Sequence, residues 1–187
     1  VKLWKIGCKG ANGPSEAAIK EKLALINPDQ TDFNDQALSI FLKQSGMQLD
    51  LGGIAKGYIA DRIADYWRAY GKRSGIIDLG GNLLLVGDSP AHQDRQWRIG
   101  VQDPSSERGQ SILNVKIGPC SAVTSGIYER HLEVNGHSYH HILDSQTGYP
   151  KQNDLASITI FSKYSIDGEI ETARLFFAGK PLAGWAR

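Results

Sequence analysis

Cysteine is nearly absent: Cys8 and Cys120 are the two in 187 residues. Two cysteines build no disulfide framework, so the fold has to rest on a packed core. They neither require nor exclude an oxidising compartment. Charge of one sign is missing too. Twenty-one Lys and Arg against twenty Asp and Glu leave a formal net charge of +1, and with no long basic run there is no electrostatic footprint for nucleic acid. No apolar run reaches the roughly 20 residues that a membrane-spanning helix needs, and no signal peptide is legible. Several chemical signatures are also lacking. There is no G-x-x-x-x-G-K-[ST] loop and no G-x-G-x-x-G fingerprint, and Ser125 lacks the G-x-S-x-G elbow of a serine hydrolase. His137, His140 and His141 lie close in sequence, but with no cysteine nearby and no H-x-x-x-H spacing they make a weak zinc set. No low-complexity linker divides the chain, whose length suits one domain or a compact pair with a sizeable core.

What is present concentrates first in Tyr139-His140-His141-Ile142-Leu143-Asp144-Ser145-Gln146-Thr147-Gly148-Tyr149-Pro150. Just before it, Leu132 to Tyr139 reads as a hairpin, because Asn135-Gly136 supplies the two positive-φ residues of a type I′ turn. The histidines then leave a strand, where neighbouring side chains face opposite ways. One should bond structurally while the other faces a cleft. Histidine titrates near neutral pH and suits a general base. Asp144 has three readings: it orients the histidine, acts beside it, or caps the Ser145–Gly148 turn, a position that Asp favours.

The second concentration is Leu49-Asp50-Leu51-Gly52-Gly53-Ile54-Ala55-Lys56-Gly57-Tyr58. A short strand, Met47 to Leu51, is expected to run into Gly-Gly, where a helix begins. Ile54, Ala55, Tyr58, Ile59, Ile63, Tyr66, Trp67 and Tyr70 mark its apolar stripe, more in keeping with core than with a ligand-stacking surface. Gly71 is its C′ residue. Free N–H groups at the helix start, with Lys56 one turn in, would suit a phosphate, although Gly-Gly by itself is more often a tight turn. Asp78-Leu79-Gly80-Gly81-Asn82 repeats the Asp-Leu-Gly-Gly string between two buried strands, Gly75–Leu79 and Leu83–Gly87, and suggests two similar turns near one cleft. A bulge or a close strand crossing is the plainer alternative.

The remaining elements are coarse. Pro14 to Ile26 reads as a helix. Ala37 to Lys43 pairs with Met47 to Leu51 around Ser45-Gly46. Gln96 to Val101, Ile112 to Ile117, Cys120 to Thr124 and Ser157 to Phe161 are strands, and Glu169 to Ala178 is a helix. Strands dominate, so the expected class is α+β, a mixed β-sheet core with a few helices, in a single core over residues 1–187.

Four motifs in order, Asp50–Tyr58, Asp78–Asn82, Ala122–Gly126 with Tyr128-Glu129-Arg130, and His141–Asp144 with Thr147–Pro150, resemble the ApbE family of FAD:protein FMN transferases, over nearly the whole chain from Leu3-Trp4 to Phe177. The resemblance implies a Mg²⁺-dependent reaction in which FMN passes from FAD to a Ser or Thr hydroxyl of a target protein and AMP leaves. By the same resemblance His141 is the base, with Asp144 at its side. Asp50, Gly52, Lys56 and Ile142 then bind FAD. Gly53 and Thr172 hold the metal with Asp167 or Glu169, and Asp167 is preferred as a short acid on the loop before the last helix. The carboxylate spacing departs from the family's Asp-x-x-x-Thr pattern, since Gly168 stands four residues before Thr172. The plainer alternative makes Asp167-Gly168 a turn and Glu169 and Glu171 a solvated face. The family's flavin-acceptor motif is absent, so the chain resembles the transferase and not its target. A Mg²⁺-dependent FAD pyrophosphatase and a non-catalytic flavin-binding protein are the other functions in keeping with these residues. The family also implies a longer N-terminal part and a C-terminal tail, of which this chain would be a trimmed core. It implies a cell-envelope location as a membrane-anchored lipoprotein, periplasmic or extracellular, with the signal outside this chain.

Overall fold

The computed structural model describes residues 2–6, 12–128, 131–134 and 136–182. Cys8, Glu129, Arg130 and Asn135 of the expected motifs lie outside them. In chain order the elements are α1 (Glu16–Leu23), β1 (Thr31–Asn34), β2 (Ser39–Leu42), α2 (Ala55–Ala69), β3 (Gly75–Asp78), β4 (Asn82–Val86), β5 (Trp97–Gln102), β6 (Ser111–Ile117), β7 (Ser121–Gly126), β8 (His131–Val134), β9 (His137–His140), β10 (Ser157–Ser162) and α3 (Ser165–Ala178). The α+β class holds, and every pairing among the described strands is antiparallel. The chain forms two compact units, Val1–Asp50 with Ile127–Gln152, and Leu51–Gly126 with Asn153–Arg187.

In the first unit α1 starts where Ser15 accepts the Ala18 amide through Oγ, satisfying a free helix N–H. Its Ile19 joins Trp4 and Leu132 in a small core. Strands β8 and β9 pair with His131 opposite His140, and Gly136 has φ +78° in the turn between them. The other hairpin differs from expectation. β1 pairs with β2, and residues 47–50 form no strand. The turn was set by Asn34, whose Oδ1 accepts the Ala37 amide at 2.8 Å. Such Asx turns compete well with a Ser-Gly signal.

In the second unit a four-stranded sheet runs in the order β10-β7-β4-β3. Strand alternation sends Leu84 and Val86 of β4 into a cluster with Ala60, Ala64 and Ile77. Leu83 and Leu85 go to the cluster of Trp97 and Ile99 on the β5–β6 ribbon. One sheet face therefore carries helix and the other carries ribbon. β3, expected to be buried, is an edge strand that leaves Ile76 exposed.

The face that α2 buries also differs from expectation. Gly57, Ala60, Asp61 and Ala64 are its buried residues, while Tyr58, Ile59, Tyr66 and Tyr70 are exposed. Small side chains win because α3 crosses so closely. A Cβ on Gly57 would lie 2.7 Å from the Ile166 Cα and from the Ser165 carbonyl oxygen. The displaced rings pack on each other, Tyr66 against Tyr70 at 4.4 Å between centroids. The C-terminus of α2 follows expectation. The Gly71 amide bonds the Arg68 carbonyl and the Lys72 amide bonds that of Trp67, a Schellman closure.

Candidate functional site

The first unit holds the histidine–aspartate cluster. β9 ends at His140, and its ring is fully engaged. Nε2 donates to the Lys151 carbonyl at 3.0 Å, and Nδ1 accepts the Ile142 amide at 3.2 Å. That pattern fixes one neutral tautomer. Burial pushes the His140 pKa down and the nearby His141 adds to this, against the opposing pull of the Lys151 carbonyl. With both nitrogens occupied, His140 serves the frame. His141 follows it, half-buried, at the start of the turn segment, with Ile142 half-buried beside it.

Asp144 is tied into the turn that follows. Its Oδ1 accepts the Gln146 amide at 2.8 Å, its Oδ2 accepts Lys151 Nζ at 3.0 Å, and its carbonyl accepts the Gly148 amide. The Gln146 amide, then the Lys151 ammonium, hold its carboxyl below the usual range. Turn capping is thus a role that Asp144 performs. The turn itself is clamped. Trp4 Nε1 donates to the Gly148 carbonyl at 2.8 Å, and Gly148 has φ +75° with its missing Cβ only 2.5 Å from Ile19 Cγ2. No other residue type fits there, so His141 and Asp144 are carried on a rigid frame.

The second unit holds a polar cluster around the two Asp-Leu-Gly-Gly turns. The Leu51 carbonyl accepts the Ile54 and Ala55 amides, which makes Gly52-Gly53 the tip of the turn into α2. A Cβ on Gly53 would meet nothing within 4 Å, so the tip faces open space. Gly80 and Gly81 have φ +67° and +77°, the type I′ geometry that joins β3 to β4. Lys56 connects the turns: its Nζ donates to the Gly80 carbonyl at 3.1 Å and lies 3.7 Å from Glu169 Oε1. Lys56 thus links the two turns, but they are not alike: Gly80 and Gly81 have positive φ, and Gly52 and Gly53 do not.

Glu169 is 6% exposed, and its Oε1 also accepts Asn82 Nδ2 at 2.8 Å. Thr172 Oγ1 donates to the Glu169 carbonyl and accepts Ser125 Oγ, each at 3.0 Å. Asp167 is placed differently from expectation. α3 begins at Ser165, so Asp167 lies in its first turn and is exposed, not on a preceding loop. Nor is Asp167-Gly168 a turn, and Glu169 is not on a solvated face. Asp50, in the irregular run before α2, is exposed.

A family model described as the ApbE family matches residues 1–186. The chain belongs to the ApbE family. It is 44% identical to an FAD:protein FMN transferase of Klebsiella pneumoniae over 96% of this chain and 54% of that protein. It is 38% identical to the one of Treponema pallidum, over 96% of this chain and 52% of that protein. Among solved structures, the ApbE protein of Thermotoga maritima superposes with a TM-score of 0.80 at 32% identity, covering 92% of this chain and 54% of that one. The flavinyl transferase ApbE of Pseudomonas stutzeri gives 0.73 at 27% identity, over 94% of this chain and 53% of that one. The chain thus spans about half the length of these ApbE relatives.

Three ApbE-chain residues that the motifs did not single out complete the second cluster: Asp61, Asn82 and Ser165. Asn82 ends a quoted motif and carried no assigned role. Asp61 could have been suspected, because an acid shares the small-residue row of Gly57, Ala60 and Ala64. Ser165 gives no local signal. In the first cluster Lys151, which holds Asp144, was also missed.

Proposed function

We propose that this chain takes part in transferring FMN from FAD to a Ser or Thr hydroxyl of a target protein. The observation that carries the reading is the 44% identity, over 96% of this chain, to a relative named FAD:protein FMN transferase. In the proposed reaction the acceptor oxygen attacks the phosphorus on the FMN side of the pyrophosphate. The bond between that phosphorus and the bridging oxygen breaks, and AMP leaves. The acceptor proton passes to His141, whose neighbour His140 already serves the frame. Lys56 offsets charge on the pyrophosphate, aided by the turn into α2, whose tip at Gly53 faces open space.

The donor chemistry fits Mg²⁺. Hard oxygen ligands suit it, and it commonly takes one or two carboxylates and completes its shell with substrate phosphates and water. In this reading Glu169, Thr172 and the Gly53 carbonyl would hold the ion, which when bound neutralises charge on the pyrophosphate. Glu169 is preferred over Asp167 because it shares one buried helix face with Thr172 and approaches Lys56.

The test is to mix the protein with FAD, Mg²⁺ and an acceptor protein and follow intact mass. Addition of one FMN to the acceptor, with AMP released, is expected. Free FMN and AMP with an unchanged acceptor would make it a pyrophosphatase instead. Bound, unaltered FAD would make it a flavin-binding protein.

A further inference from the structure

We infer that Asn82 is a positioning residue for Glu169. The inference rests on the reading above in which Glu169 holds the metal. Asn82 opens β4 directly after the Gly80-Gly81 turn and is 0% exposed. Both ends of its amide are used. Oδ1 accepts Ser165 Oγ at 2.7 Å, and Nδ2 donates to Glu169 Oε1 at 2.8 Å. Ser165 and Glu169 are four apart on α3, one above the other on the same face. The amide therefore spans adjacent turns of the helix.

Its orientation is fixed chemically. A reversed amide would set a carbonyl oxygen against Glu169 Oε1, two acceptors face to face with no donor between them. Ser165 Oγ, which can donate, fits the carbonyl end. The –NH₂ end thus faces Glu169. The far end is anchored as well. The Ser165 and Ile166 amides donate to Asp61 Oδ1 and Oδ2 at 2.8 and 3.0 Å, so an acid on α2 caps α3. Tyr164, at the N-cap position, supplies no side-chain cap of its own.

A continuous chain of bonds therefore runs from Asp61 through Ser165 and Asn82 to Glu169. It pins Oε1, while Oε2 makes no hydrogen bond among the described residues. Among these no fully buried side-chain oxygen is left without a partner, so Oε2 is not sealed from solvent. A carboxylate held by one oxygen and presenting the other suits a one-toothed ligand to an octahedral ion. Groups that hydrogen-bond a metal ligand typically contribute about 10–100-fold in metal affinity.

The experiment measures Mn²⁺ affinity by electron paramagnetic resonance of the free ion, with no flavin present. Asn82→Ala, Glu169→Gln and the double variant are compared with wild type, with thermal midpoints recorded alongside. Asn82→Ala is expected to weaken Mn²⁺ binding about tenfold or more, and to change nothing further once Glu169→Gln is in place. A merely structural Asn82 would lower the thermal midpoint in both backgrounds and leave affinity alone, which overturns the inference. Equal affinity losses in both backgrounds overturn it too. If Glu169→Gln itself binds Mn²⁺ as wild type does, the metal reading fails and takes the inference with it. Should Asn82→Ala not fold, Ser165→Ala replaces it. Loss of that one hydrogen bond is expected to weaken Mn²⁺ about threefold, and unchanged affinity there overturns the inference.

Discussion

His140 serves the frame and His141 is the proposed base, so each makes its own prediction. His141→Ala is expected to lower FMN transfer about 10²-fold or more, the usual worth of a general base, while FAD binding persists. A variant transferring at the wild-type rate would remove His141 from the mechanism. His140 is a matter of stability. Its folded-state pKa lies below the unfolded value, so the native state prefers the neutral ring. The contribution is intact above the unfolded pKa of about 6.5 and becomes a penalty as pH falls through that value toward the depressed one. Asp144 acts lower in the range, stabilising above its unfolded pKa and losing that effect as pH falls through the depressed folded value. Urea midpoints between pH 7.5 and 5 should therefore fall for wild type, and the gap to His140→Gln should narrow. A constant gap would show that His140 does not titrate differently on folding. That one of the two histidines would bond structurally was legible in the sequence, since a polar ring at a strand end needs partners nearby. That Lys151 supplies partners to both His140 and Asp144 was not, since it lies beyond the Thr-Gly-Tyr-Pro turn that brings it back.

At the scale of elements, α3 depends on α2 for its start. Asp61→Ala would strip two charge-assisted bonds from the Ser165 and Ile166 amides and leave buried donors unpaired, at about 3 kcal/mol. Asp61→Asn keeps one acceptor oxygen and should lose less. Chemical denaturation would check the order; equal stability of Asp61→Ala and wild type would refute the cap. This contact joins residues 104 and 105 positions apart, which no local pattern reports. The same limit explains the other misreadings. Met47, Leu49 and Leu51 alternate like a strand, yet Leu49 and Leu51 stay exposed and residues 47–50 pair with nothing regular. The aromatic positions of α2 match a helical stripe, but a helix that must touch both a sheet and another helix buries its glycine and alanines. Hairpins set by their own turn residues, Gly80-Gly81 and the turn at Gly136, were legible because the turn chemistry is contained in the segment.

For the molecule as a whole, hydrophobic content foretold a core without telling which apolar faces stay outside it. Phe33, Leu38 and Phe41 on the β1–β2 hairpin are 71%, 91% and 65% exposed. Tyr58, Tyr66 and Tyr70 lie open along α2. Apolar groups so exposed bind hydrophobic dyes, so this chain should enhance ANS fluorescence while fully folded, and Phe41→Ser with Leu38→Ser should reduce it. A folded chain that leaves the dye dark would contradict these exposures. Charge is distributed with a similar asymmetry. With the Asp61 carboxylate seated on the first two amides of α3, the positive end of that helix is already neutralised from within. A phosphate could use it only by displacing a buried acid. In the proposed reading Lys56, a partly exposed cation on a flexible stem, then carries part of the attraction for the pyrophosphate. Attraction of that kind is weakened by ionic strength, whereas a helix terminus inside a closed site is screened far less. In that reading the fold forgoes a fixed, salt-insensitive anchor at α3 and relies in part on one that the surrounding electrolyte can tune.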